Sequence, residues 1–350
     1  MKLGMQLKYT GEVVGALDRL AEYESAGLDV VHVPEVYSYD AVSQLGYIAA
    51  RTTRVEIASG ILNVYTRTPA LLAMTAAGLD AVSGGRFTLG LGSSGPQVVE
   101  GFHGVRYDAP VGRLREVVQI CRQVWRREPL IFDGRHYTVP LTEPRAATGL
   151  GKPLWLVNRP RRARIPITLA ALAPRGVALA AELCEGWEPA FYLPERAAEA
   201  FGEPLARGLA RRAADLGPLR IVADTWAHVS DDPAELAAAT ATVREIVALY
   251  VGGMGARGAN YYAALMERYG FGRVAARIQD LYLAGHKQDA AALVPQELID
   301  GIALIGPAAW VKDRVHAFAA TGVGTLNATP VGRTHRQRLH TVEAIRGMLD

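Results

Sequence analysis

Short apolar, β-branched runs alternate with longer amphipathic segments along the chain, and this alternation limits the folds that it can adopt. The pattern is typical of repeated strand–helix units around a parallel sheet rather than of hairpins. Candidate strands fall at about residues 2–7, 30–33, 56–62, 86–92, 166–172, 186–192, 220–229 and 324–329. Eight such units predict an α/β fold of the (β/α)8 TIM-barrel class, built as one domain over residues 1–350.

Two long segments interrupt the alternation. The first, at about 128–165, is rich in proline and glycine, and the second, at about 250–307, follows the seventh strand. Connections of this length usually serve a function, so we predict loop and helical insertions at the barrel mouth. In the second segment, glycines at 252–258 precede Tyr261 and Tyr262, which fits either a mobile cover over a binding site or an ordinary helical insertion.

Composition disfavours several classes of protein. Thirty-eight Lys and Arg against 35 Asp and Glu leave a charge of +3, too small to indicate nucleic-acid binding by a chain of 350 residues. No uncharged apolar run approaches the roughly 20 residues of a membrane helix, and the N-terminus lacks a signal-peptide pattern, so we expect a cytoplasmic protein. Cys121 and Cys184 lack metal-binding neighbours and are interpreted as buried small hydrophobic residues. The sequence lacks GxSxG and HExxH motifs, which disfavours hydrolase chemistry.

Gly90, Gly92 and Gly95 form a GxGxxG motif directly after the fourth strand. A dinucleotide-binding unit would need a crossover helix and then a strand ending in an acid. Here Pro96 and a glycine-containing loop follow, and the acid about twenty residues on, Glu116, falls in a helical segment. Two interpretations remain: the glycines relieve crowding at the barrel mouth, or they let the backbone approach a planar cofactor ring.

Several stretches occur in an order that resembles a known family. They read SGILNVYTRTP at 59–69, SGGRFTLGLGSSGPQ at 83–97, APRG at 173–176, CEGW at 184–187 and LIGP at 304–307. Together they resemble the luciferase-like superfamily, in its coenzyme F420-dependent oxidoreductase branch, and are similar to methylenetetrahydromethanopterin reductase-type enzymes. The resemblance implies a luciferase-like barrel, a homodimer, and coenzyme F420 as the cofactor, with FMN as the alternative.

The resemblance also implies where such a cofactor lies. Its ring would cover the carboxyl ends of the strands, backed by a cis, non-proline peptide bulge at Gly60–Ile61. Its phosphate would lie near strands five and six, where Pro174 opens a helix whose amides and dipole favour an anion. Relatives tend to carry Gly-Pro-Lys there, and the residues alone fit a helix that simply has proline at its first position. The implied cofactor-binding residues are Gly60, Ile61, Asn63, Gly92, Ser93, Ser94, Gln97, Ala173, Pro174, Arg175, Gly176, Gly186 and Trp187.

The arginine-rich run at 159–164 has two interpretations. It is a solvated loop, or it attracts the anionic tail of coenzyme F420. The first outcome is the usual one for a basic run on a protein surface.

Candidate catalytic residues follow the strands at the barrel mouth, and they are Glu35, Tyr37, Asn63 and His103. A shielded Glu35 could transfer a proton, or it could form a salt bridge or cap the next helix. His32 lies mid-strand and is interpreted as a core histidine. No metal site is predicted.

The predicted function is hydride transfer between reduced deazaflavin and a small organic substrate, with a C=C or C=N bond as the candidate target. Two alternatives stay open: an FMN-dependent luciferase-like monooxygenase, and a non-catalytic flavin-binding homologue.

Overall fold

A computed structural model describes residues 1–8, 13–141, 145 and 148–349 of the chain. Its strands are β1 (Lys2–Gln6), β2 (Val30–Val33), β3 (Glu56–Ser59), β4 (Leu62–Asn63), β5 (Phe87–Gly92), β6 (Phe132–Asp133), β7 (Thr138–Val139), β8 (Ile167–Ala170), β9 (Gly186–Glu188), β10 (Arg220–Val229), β11 (Ala303–Gly306) and β12 (Val323–Pro330). The helices before the second insertion are α1 (Val13–Asp18), α2 (Leu20–Ser25), α3 (Ala41–Arg51), α4 (Pro69–Val82), α5 (Pro96–Gly101), α6 (Pro110–Trp125), α7 (Pro174–Leu183), α8 (Pro194–Leu209) and α9 (Pro233–Ala248). The remaining helices are α10 (Tyr261–Arg268), α11 (Gly272–Leu283), α12 (Lys287–Ala292), α13 (Gln296–Ile302), α14 (Ala308–Ala320) and α15 (His335–Leu349), with a 3₁₀ turn at Ala214–Leu216 and a π-helical turn at Leu249–Gly253.

Eight parallel strands close into a barrel, which confirms the predicted fold class. Their order around the ring is β1, β2, β3, β5, β8, β9, β10 and β12, and β12 pairs with β1. Gly4 of β1 lies opposite Val30 on one side and Asn327 on the other, so the ring has no open edge at this point. All eight predicted strands are present, and the fifth and sixth are shorter than predicted.

The third predicted strand is divided into two pieces. It ends at Ser59, a cis peptide joins Gly60 to Ile61, and a short strand resumes at Leu62 to pair with β5. The cis, non-proline bulge that the family resemblance implied is therefore present.

Helices cover the outside of the ring with their apolar faces. Helix α6 shows the spacing: Leu114, Val117, Cys121 and Val124 recur at intervals of three or four and are buried. Both cysteines are fully buried, which confirms their interpretation as small hydrophobic residues, and burial raises the pKa of each thiol to about 12.

The two insertions take different forms. The first contains the antiparallel hairpin β6–β7, whose turn is held by Glu116, which accepts hydrogen bonds from the amides of Arg135, His136 and Tyr137. The second contains α10 to α13 and ends in β11, which pairs with residues 226–229 of β10. Thr225 Oγ1 of β10 also donates to the carbonyl of Ile302 at 2.7 Å, so the end of this insertion is fixed to the strand that precedes it.

One described helix is long and apolar enough, by length and composition alone, to cross a membrane. It is α9 with its π-helical continuation, Pro233–Gly253. In this fold it packs against α12, α13 and β11. An apolar helix in the outer layer of a barrel has the same composition, so this helix is only weak evidence for a membrane span.

Candidate active site

A cavity of about 530 Å³ opens at the carboxyl ends of the barrel strands. In a parallel barrel these ends all face one side, where the loops that follow them can build a site. The predicted site residues that line the cavity are Glu35, Tyr37, Gly60, Ile61, Gly92, Ser93, Ser94, Gln97, Ala173 and Gly176. The lining residues that the sequence did not indicate include Gln6, Glu188, Phe191, Asp224, Trp226, Tyr250 and Thr329.

The wall formed by β3 and β5 depends on two glycines. A Cβ atom at Gly90 would lie 1.7 Å from the carbonyl oxygen of Ser59, so this position relieves crowding between the strands. A Cβ atom at Gly92 would lie 2.8 Å from Cγ1 of Ile61, which itself lines the cavity. Gly90 thus relieves crowding between the strands, as one interpretation of the GxGxxG motif predicts. That Gly92 lets the backbone approach a cofactor ring stays a prediction.

The end of β8 leads into helix α7 without a side-chain cap. Ala173 is the N-cap residue, and Pro174 occupies the first turn. Amides of an uncapped first turn can bind an anion, and the helix dipole favours one there. Ala173 and Gly176 line the cavity, while Pro174 and Arg175 are exposed and lie outside its lining.

Four further predicted residues also lie outside the lining. A Cβ atom at Gly186 would face Thr168 Oγ1 at 2.6 Å, so the close approach at this glycine is to the neighbouring strand. Trp187 is fully buried, and its Nε1 donates to the carbonyl of Ala171 at 2.9 Å. Asn63 is buried and accepts from the Tyr65 amide at 3.0 Å, and the His103 ring packs edge-on against Phe102. The contacts of these four residues are thus with neighbouring parts of the barrel, and their predicted roles at the site stay predictions.

Glu35 lines the cavity but is engaged at both oxygens. Its Oε1 accepts from Arg67 Nη1 at 2.5 Å, and its Oε2 accepts from Arg67 Nη2 at 2.8 Å and from the Ala41 amide at 3.0 Å. The hydrogen bonds that Arg67 donates to Glu35 outweigh the effect of burial and raise the pKa of Arg67. Among the three predicted roles of Glu35, this geometry favours the salt bridge and helix contact over proton transfer.

The floor of the cavity carries ionisable side chains. Asp224 and Glu188 both line it, and Glu188 Oε1 lies 3.2 Å from Nδ1 of the buried His32. Asn327 Nδ2 donates to Asp224 Oδ1 at 2.6 Å. Burial first, and then the charge of Glu188, raise the pKa of Asp224 to about 8. Across the described ranges, no group of three or more His, Cys, Asp or Glu residues could hold a metal ion.

Burial alone would lower the pKa of His32, but the charge of the nearby Glu188 outweighs burial, so the pKa of His32 is raised. His32 is buried, as predicted for a core histidine, and its partner is an acid of the cavity floor. The signal that could have located this floor is an acid within an otherwise buried strand, as Glu188 and Asp224 are.

Aromatic side chains line another part of the cavity wall. Phe191 contacts Trp226 and Tyr250 with ring centroids 5.3 and 5.5 Å apart, and Tyr250 meets Tyr262 edge-on at 4.8 Å. The hydroxyl groups of Tyr261 and Tyr107 lie 3.1 Å apart, which joins the second insertion to the loop after α5. Of the two interpretations of this insertion, the placement favours a cover over the site.

The arginine run lies at the other end of the barrel. Arg162 donates to the carbonyl of Phe87, where β5 begins, and forms an ion pair with the buried Asp80. Arg164 pairs with Asp215 at 3.0 Å and lies 3.6 Å from Glu185, just before β9 begins. Arg162 and Arg164 therefore form ion pairs at the amino-terminal face of the barrel, away from the cavity. This position argues against a role in attracting the anionic tail of a cofactor.

Comparison with known proteins agrees with this architecture. The family described as luciferase-like monooxygenase matches residues 2–325. A Mycobacterium tuberculosis protein, provisionally named a coenzyme F420-dependent oxidoreductase, is 41% identical over 335 residues, which cover 94% of this chain and 95% of that protein. The 5,10-methylenetetrahydromethanopterin reductase of Archaeoglobus fulgidus is 27% identical, covering 91% of this chain and 90% of the relative.

The fold is also that of a solved enzyme. The structure of the coenzyme F420-dependent tetrahydromethanopterin reductase of Methanopyrus kandleri superposes with a TM-score of 0.80 at 20% identity, covering 98% of this chain and 96% of that one. At this identity the likeness shows the fold alone. From the full-length family match and the 41% identical relative, we conclude that the chain belongs to the luciferase-like family.

Proposed function

We propose that this protein is a coenzyme F420-dependent oxidoreductase that transfers a hydride between the reduced deazaflavin and a small organic substrate. The observation that carries the proposal is similarity over nearly the whole chain to a relative named for that cofactor. The cavity at the carboxyl ends of the strands supplies the place for it. When bound there, reduced coenzyme F420 would supply the hydride.

The residues present fit a planar ring with an anionic extension. Gly60, Ile61 and Gly92 form a wall without projecting polar side chains, against which a ring can lie. Ser93, Ser94 and Gln97 border this wall and can donate hydrogen bonds to ring heteroatoms. The amides of Ala173 and Arg175 at the start of α7 would bind the phosphate, with the Arg175 side chain adding positive charge. Pro174 has no N–H, and the Gly176 amide donates to the Ala173 carbonyl at 2.9 Å.

The rest of the cavity would receive the substrate. The aromatic side of Phe191, Trp226 and Tyr250 favours an apolar organic molecule, and the cover containing Tyr261 and Tyr262 would exclude water during transfer. Candidate substrates contain a polarised C=C or C=N bond, because such a bond accepts a hydride at one atom and a proton at the other.

An FMN-dependent monooxygenase is the second candidate, because the family description itself names monooxygenases. The two candidates differ in the cofactor that the same cavity would hold. A non-catalytic flavin-binding homologue is the remaining alternative, and it would bind a cofactor without turnover.

The test is an equilibrium titration of the purified apoprotein with F420 and, separately, with FMN, followed by ligand fluorescence. We expect F420 to bind at least about tenfold more tightly, a difference of about 1.4 kcal/mol. A preference for FMN would replace the proposal with the monooxygenase, and binding of neither would remove both. Tight F420 binding is then followed by a screen of enones and imines for oxidation of reduced F420, and turnover there excludes the non-catalytic homologue.

A further inference from the structure

Polar, ionisable side chains occupy a layer of the barrel interior that is usually filled by branched apolar residues. They come from three strands: His32 from β2, Glu188 from β9 and Asp224 from β10. Asn327 of β12 completes the layer. Burying such groups is costly unless they are paired, so their presence at a cavity floor indicates a function.

Glu188 and His32 form a buried pair inside this layer. Their side chains are only 3% and 4% exposed, and the Nδ1–Oε1 distance is 3.2 Å. Glu188 Oε2 and His32 Nδ1 are both buried and have no hydrogen-bond partner among the described residues, so the contact between the two side chains is a charge contact. The carboxylate of Glu188 therefore lies beside Asp224 with few hydrogen bonds to hold it.

Asp224 faces these groups and the cavity at once. Besides Glu188 and His32, the group against it is Asn327, whose Nδ2 donates to Oδ1 at 2.6 Å. Burial and the charge of Glu188 raise the pKa of Asp224 to about 8, while His32 and Asn327 act in the opposite direction. The raised pKa favours the neutral acid form of Asp224, and we place its proton on Oδ2 because Asn327 donates to Oδ1.

We propose that Asp224 is the catalytic acid of this cavity, that Glu188 beside it is a positioning residue, and that His32 holds the Glu188 side chain in place. The inference rests on the proposed function, which supplies the reductant. In the step, the Oδ2–H bond of Asp224 breaks, and the proton bonds to the substrate atom that receives the displaced π electron pair. Asp224 is left as a carboxylate, and the double bond is reduced by the two electrons of the hydride, which would come from reduced F420. The substrate class is therefore a polarised double bond that must be protonated as it is reduced.

The first experiment observes the proton without any cofactor. The full chain is labelled with ¹³C at the aspartate carboxyl carbons and titrated by NMR between about pH 4 and 9. We expect one resonance with a midpoint near 8, absent from Asp224→Asn and retained in the matched control Asp231→Asn, whose side chain is exposed. If every aspartate titrates below about pH 6, the proposal is wrong.

A second variant tests the positioning role and does not depend on the folding of Asp224→Asn. Glu188→Gln removes the neighbouring charge and keeps the shape of the side chain. The high midpoint should fall by about one pH unit or more. A midpoint that does not move would remove Glu188 from the assignment.

Turnover separates this inference from the proposed function. With an enone or imine that wild type reduces, Asp224→Asn should lose about 100-fold or more in kcat and the alkaline limb of the pH profile, with F420 affinity within about twofold of wild type. Wild-type kcat in that variant would overturn the catalytic role while leaving the proposed function intact. If F420 does not bind at all, the proposed function fails, and the NMR titration still decides whether Asp224 holds a proton.

Discussion

Glu35 and Arg67 form a two-point ion pair at the cavity mouth, with Nη1–Oε1 and Nη2–Oε2 distances of 2.5 and 2.8 Å. Their side chains are 11% and 15% exposed, so the pair is largely shielded from water. Glu35 also accepts from the Ala41 amide at the start of α3. One carboxylate thus ties the loop after β2 to the loop before α4.

Glu35→Gln should lower the free energy of unfolding by about 1–3 kcal/mol, because the shielded Arg67 loses its nearer charged partner and keeps only Asp40 at 3.7 Å. Urea denaturation measures the change. The matched control is Glu199→Gln, whose exposed pair with Arg196 should be worth less than about 0.5 kcal/mol. Equal stability of Glu35→Gln and wild type, combined with a loss of turnover, would instead restore Glu35 as a proton donor.

Gly92→Ala should weaken F420 binding by about tenfold or more while the barrel stays folded. The new Cβ would lie 2.8 Å from Cγ1 and 2.9 Å from Cδ1 of Ile61, so the isoleucine must move into the space proposed for the ring. Fluorescence titration measures affinity, and thermal unfolding checks the fold. Gly78→Ala in α4 is the control, since nothing lies within 4 Å of its Cβ, and it should leave affinity unchanged and add about 0.5–1 kcal/mol of stability. Unaltered affinity in Gly92→Ala would move the ring elsewhere.

Arg175→Glu should weaken F420 binding by about three- to thirtyfold at low salt, because it places a negative charge at the helix end proposed for the phosphate. The difference from wild type should shrink as salt is added. Arg273→Glu makes the same change in the first turn of α11 and should have no effect on affinity. Two variants that behave alike would show that the anion is bound at another place.

The stability of the protein should fall as pH rises from about 5 to 8. The pKa of Asp224 is raised from 3.8 in the unfolded chain to about 8, so the folded state binds more protons across this interval and deprotonation favours unfolding. Urea denaturation at a series of pH values should show a shallower decline in Asp224→Asn than in wild type. His32, whose pKa is also raised, contributes a decline of the same sign that the variant retains. Parallel curves for the two proteins would contradict the assignment to Asp224.

The barrel could be predicted from sequence because each βα unit carries its own local pattern of buried and exposed positions. The wall at Gly60, Ile61 and Gly92 was also predicted, because the family resemblance rests on the two stretches at 59–69 and 83–97 that contain these residues. The floor was missed because its acids lie on two neighbouring strands, β9 and β10, with no shared motif, and because only the closed ring brings His32 of β2 beside them. The homodimer, the single domain over the whole chain and the cytoplasmic location stay predictions.

The pairing of β11 with the end of β10 gives the second insertion a modular character. The segment leaves the barrel after β10 and returns beside the same strand, where Thr225 holds Ile302. Its ends are therefore already closed, and lengthening or exchanging the residues between them adds little further loop entropy. Substitutions in this insertion can change the shape of the cavity above the strands while the wall formed by β3 and β5 stays intact. Related barrels could therefore differ in the substrate that they reduce and still keep the proposed wall for the cofactor ring.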